Sequence, residues 1–145
     1  MKTGTLAVIV VLLLVVSLSF AGDKISIEDT YGTWVNSDYN EKAQAAKVVG
    51  NPDGTDLLYS KETDSEPAWT LESTVTDYWH DEEGNLWVKY TWVDKELEGS
   101  GYQSSGYTLS KYSNSGTVCE NVWSYIDYPD EMSPIGGNYE IYYRQ

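Results

Sequence analysis

Several residue types that usually betray a function are scarce in this chain. It has one cysteine, Cys119, so no internal disulfide can form, and the fold must be held by packing and backbone pairing. It has one histidine, His80, which leaves little for imidazole catalysis or a histidine metal centre. Lys and Arg total 9 against 23 Asp and Glu, a formal charge of −14. Such a surface excludes nucleic acid and anionic membrane as electrostatic partners, because both demand a basic patch. The sole phenylalanine, Phe20, lies near the N-terminus, outside the segment read below as the folded domain. No G-x-S-x-G, H-E-x-x-H or phosphate-binding loop is present, and no cofactor is expected.

The one long apolar run is at the start. Lys2 precedes an unbroken apolar stretch, Leu6–Val16, and Ser19-Phe20-Ala21 then has the small-x-small form of a cleavage site. The stretch is shorter than the ~20 residues of a spanning helix. Residues 1–21 are therefore expected to be a cleaved signal peptide, with a retained anchor as the alternative, and the protein to be exported, periplasmic or secreted. Residues 22–145 are then one domain, more acidic still for the loss of Lys2. No membrane insertion is expected after cleavage.

What the domain has in abundance is Tyr, Trp and glycine-closed turns, with 13 Tyr and 6 Trp. Both residues favour strands and carry a polar handle. Asn51-Pro52-Asp53-Gly54, Asp81-Glu82-Glu83-Gly84 and Ser113-Asn114-Ser115-Gly116 each end a polar run in Gly, which suits a type I turn closed by a left-handed glycine in a bulge. Wider links, Thr63–Pro67, Leu97–Gly101 and Asp127–Asn138, alternate with them. The expected strands are Tyr31–Asn36, Gln44–Gly50, Thr55–Lys61, Ala68–His80, Asn85–Glu96, Tyr102–Tyr112, Thr117–Ile126 and Tyr139–Arg144. Asn40–Lys47 reads as one or two helical turns or as the approach to the second strand. Eight sequential antiparallel strands can close into an up-and-down barrel with one tight end and one open end, while a two-sheet sandwich is the competing architecture.

The facing of the strands is harder to read. Pairing Asp81 with Asn85 sets Trp79 opposite Trp87 and Asp77 opposite Lys89. Plain alternation then groups Trp69, Leu71, Val75, Trp79, Trp87 and Val93 on one side, and Tyr78, Leu86, Val88, Tyr90 and Trp92 on the other. Neither side is cleanly apolar.

Gly32-Thr33-Trp34 on the first strand, eight meandering strands and Arg144 on the last together resemble the lipocalins and the wider calycin superfamily, in a minimal, bacterial-type form. That resemblance implies a Trp34 packed beneath the barrel floor against Arg144, tight hairpins closing the floor, and the long links framing a mouth. It implies non-covalent binding of a small, partly apolar molecule there, with Tyr39, Trp69, Tyr102, Tyr125 and Tyr128 as mouth candidates. The loop from Tyr128 to Gly137 could fold as a lid. Gly32–Asn36 also resembles the opening strand of avidins, where the Asn belongs to the biotin site, which makes biotin a lesser expectation. A heme site would need an axial ligand, and His80 sits beside a tight turn.

Asp81, Glu82 and Glu83 form the densest carboxylate cluster, but their spacing fits no metal loop, and a solvated hairpin turn explains them. Two rival functions remain. One is a filled barrel that contacts protein or carbohydrate through outward aromatics. The other is a calycin-type enzyme using mouth carboxylates such as Asp38, Asp127 or Asp130.

Overall fold

A computed structural model describes residues 23–36, 45–62, 65–94, 105–127 and 140–145. The described chain is all-β apart from one short 3-10 turn, Glu28–Thr30. Its strands are β1 (Gly32–Val35), β2 (Lys47–Gly50), β3 (Thr55–Tyr59), β4 (Trp69–His80), β5 (Leu86–Asp94), β6 (Ser105–Ser113), β7 (Val118–Asp127) and β8 (Glu140–Arg144). Every strand pairs antiparallel with its sequence neighbour, and β1 pairs with β8, which closes an eight-stranded barrel. The sandwich alternative is thereby excluded. The expected signal segment 1–21, most of the Asn40–Lys47 segment and the loop from Tyr128 to Gly137 lie outside the described residues.

The turn chemistry divides two to one. In the first two hairpins Gly54 N–H donates to the Asn51 carbonyl and Gly84 N–H to the Asp81 carbonyl, each glycine at a positive φ of 87° and 84°. The third turn departs from the type I expectation. Asn114 and Ser115 have φ of 50° and 56°, so left-handed backbone precedes Gly116. Asn tolerates that region, and its amide donates to Thr117 Oγ1 across the turn.

The mixed faces expected from alternation are resolved by a bulge. Trp79 does pair with Trp87 and Asp77 with Lys89, but Val75 pairs with Tyr90, which leaves Thr76 as an extra residue. One extra residue reverses the parity of everything before it. Leu71 and Val75 therefore join Tyr78, Tyr90 and Trp92 in lining the interior, while Trp79, Trp87 and Val93 belong to the outer face. The grouping by plain alternation is corrected by this one residue.

The core sits at the tight-turn end. Ile25, Trp34, Leu86, Val88, Tyr112, Cys119 and Tyr142 form one buried cluster, with Ile27, Val48, Val75 and Tyr90 packed against it. The segment before β1 lies across this end, anchored where His80 Nε2 meets the Ile25 carbonyl at 2.7 Å. Trp34 is the hub. Its Nε1 donates to the Thr30 carbonyl at 2.9 Å, and its ring meets Tyr112 edge-on at 5.5 Å. The Arg144 guanidinium stands 5.7 Å from the Trp34 ring centroid and donates to the carbonyls of Asp29, Tyr31 and Gly116.

Candidate functional site: an acid-lined cavity inside the barrel

Above that core the barrel encloses a cavity of about 750 Å³. Its walls follow from cross-strand register, because residues directly opposite share a face. One row runs Gly50, Asp56, Leu71, Asp94 from β2 to β5. Val48, Leu58 and Trp69 form the row on one side of it, and Ser73 and Trp92 the row on the other. Val75, Tyr90 and Thr108 follow, then Ser110, Asn121 and Glu140. All of these line the cavity, and Tyr112, Cys119 and Tyr142 form its base.

The polar groups of the wall are tied into short local pairs. Ser73 Oγ donates to Asp56 Oδ2 at 2.5 Å, and Ser110 Oγ to Asn121 Oδ1 at 2.7 Å. The hydroxyls of Tyr90 and Tyr112 lie 3.0 Å apart, and Tyr142 donates to Glu140 at 2.9 Å. Burial pushes the Tyr90 hydroxyl and the Cys119 thiol up to about 12, and raises Tyr112 and Tyr142 as well. At neutral pH these are therefore uncharged hydrogen-bonding groups. Burial also raises the Asp56 carboxyl, against the pull of the Ser73 hydroxyl, and the neighbouring Asp53 charge adds to the rise. Asp94 is only 2% exposed.

The cavity meets solvent at an unexpected place. The resemblance implies a floor closed by tight hairpins, yet the turn Asn51–Gly54 lines the cavity together with Tyr78. Pro52, Asp53 and Tyr78 are all exposed. The reason is unequal strand length. β3 pairs with β4 only as far as Thr55 opposite Glu72, and Ser73 N–H to the Gly54 carbonyl is the last bond between them. From Thr74 to His80, β4 continues with β5 alone among the described strands, so a slit is left beside the β2–β3 turn.

Of the sequence-derived mouth residues, Trp69 lines the cavity. Tyr125 lies in β7 with its backbone opposite Tyr107. Tyr39, Tyr102 and Tyr128 lie outside the described residues, as do Asp38 and Asp130. Asp127 is opposite Ser105 at the end of β7. Asn36 is buried and is not a wall residue of the cavity. Sequence reasoning missed Asp56 and Asp94. Their signal was parity: Asp94 shares the phase of Leu86 and Val88, and Asp56 sits opposite Leu71.

The Asp81 cluster is a turn. Asp81 accepts from the backbone of Glu83 and Asn85, from the Asn85 amide and from Trp87 Nε1 at 2.8 Å. Among the described residues no group of three His, Cys, Asp or Glu side chains could hold a metal ion. No protein family matches this chain, and neither a curated protein nor a solved structure resembles it closely enough to match, so what the barrel does has to be argued from its own geometry.

Proposed function

We propose that this protein is an exported, lipocalin-like barrel that binds a small, partly apolar molecule without covalent chemistry. The observation that carries the reading is the cavity. Its volume of about 750 Å³ lies in the range of small-molecule sites, which span roughly 300–1,000 Å³. Its wall has the expected character, with aromatic and aliphatic surface around a few placed hydroxyls and carboxylates. The Gly32-Thr33-Trp34 strand with Arg144 over the Trp34 ring supports the calycin resemblance. Export rests on the N-terminal segment alone.

The outer aromatics have local employment. Trp79 and Trp87 stack with centroids 6.0 Å apart, Lys89 and Lys111 sit over their faces, and Trp87 is bonded to Asp81. Asp77, Lys89, Lys111 and Glu120 lie around them, an exterior suited to water rather than lipid. These contacts favour the cavity over the outer face as the working surface.

Native mass spectrometry of the protein purified from its own host tests the proposal. A small mass that is present under gentle conditions and lost on denaturation is the expected result. A bare chain under both conditions, with no ligand altering its tryptophan emission, would defeat it.

A further inference from the structure

Charge is sorted across the wall of this barrel. The described cations of the strands, Lys47, Lys89, Lys111 and Arg144, are all absent from the cavity wall, as is the one histidine. Lys47 lies over the outer Tyr59 ring at 4.0 Å, and Lys89 and Lys111 pair outside with Asp77 and Glu120. Inside, every charged side chain among the described wall residues is a carboxylate: Asp53 at the rim, then Asp56, Asp94 and Glu140. Glu140 is occupied by the Tyr142 hydroxyl, and Asp56 holds the Ser73 hydroxyl.

Asp56 and Asp94 flank Leu71 in one row, so their backbones stand about 10 Å apart, two strand spacings. Trp69 and Trp92 line the cavity from the rows on either side, with Trp92 Nε1 donating to Thr108 Oγ1. With carboxylates and no Lys, Arg or His among the described wall residues, the potential inside the cavity favours a positive charge. Aromatic faces attract the same kind of charge through their quadrupole. A wall that combines carboxylates, two indole side chains and aliphatic surface therefore matches one ligand chemistry.

We propose that the cavity takes an organic monocation, an ammonium group on an apolar or aromatic body, with its charge set between Asp56 and Asp94 and its body against Trp69, Trp92 and Leu58. This inference rests on the binding reading above and specifies its ligand class. The slit beside Tyr78 and Asp53 gives such a molecule a path that is itself acidic and aromatic.

The test is isothermal titration of the purified protein with three probes that share one body: phenylbutylamine, phenylbutanol and phenylbutyrate, near neutral pH and at roughly physiological salt. The amine is expected to bind one site about 10- to 100-fold more tightly than the alcohol, the range of a charge-assisted hydrogen bond. Asp94→Asn and, separately, Asp56→Asn should bring amine and alcohol within about threefold of each other, chiefly by weakening the amine. Two independent variants keep the test intact if either one fails to fold. An alcohol or carboxylate that binds as well as the amine overturns the cation class and leaves the carrier reading standing. An amine preference that survives both substitutions overturns it too, since the acidic exterior would then be the binder. No heat from any probe, joined to a bare native mass, ends both readings.

Discussion

Single side chains at the tight-turn end carry disproportionate weight. Arg144 reaches three carbonyls in two segments, the stretch before β1 and the β6–β7 turn, with one planar fork while facing the Trp34 ring. Lysine offers one point charge and cannot reproduce that fork. Arg144→Lys is expected to cost roughly 1–3 kcal/mol in urea denaturation. Asp81 shows the same economy in a turn. Bonding from Trp87 and Asn85 lowers its carboxyl from 3.8 to about 2. A depressed carboxylate stabilises the fold fully above its unfolded value and loses that contribution as the pH falls toward 2. Asp81→Ala should therefore lower Tm at pH 7, and its gap from the parent should close between about pH 4 and 2. Such roles were only partly legible. Trp34 and Arg144 stand out through the calycin resemblance, whereas Asp56 and Asp94 carry no motif at all. An acidic residue on a strand looks solvent-facing until the strand's parity is known.

At the scale of the element, parity was the difficulty. The hairpin positions were legible because Gly after a polar run has a backbone reason to be there, and all three turns fall where that chemistry puts them. Strand facing was not, because Thr76 breaks the alternation and nothing in its identity announces a bulge. Length mattered in the same hidden way. β4 runs twelve residues and β3 only five, and that mismatch opens the slit at an end the turns alone would close. Gly54 sits at the corner of this opening. A Cβ there would stand 2.8 Å from the Ser73 carbonyl oxygen, whereas one at Gly84 meets nothing within 4 Å. Both have positive φ, so Gly84→Ala should cost about 1–2 kcal/mol from backbone strain alone. Gly54→Ala should cost distinctly more, since the turn must shift to admit the methyl group; paired melts decide it.

The whole molecule is a ring of unequal joints. β4 and β5 share nine paired positions and β5 and β6 eight, while β1 and β8 meet at two, Trp34 with Arg144 and Val35 with Tyr143. Local opening follows the least-supported contacts. Hydrogen exchange should therefore find the amides of the β1–β8 joint opening at lower free energy than those of the β4–β5 hairpin, and uniform protection around the ring would contradict this. The joint also ties segments 113 residues apart, as in the Arg144 bond to Tyr31. Every other joint in the ring is a neighbour-to-neighbour hairpin that can form as soon as its second strand exists. During synthesis the protein is thus a growing ribbon with two bare edges, and the eighth strand acts as the clasp. Until it arrives, the edge of β1 that faces away from β2 is an open template for another strand. The five residues of that last strand turn an open ribbon into a closed ring.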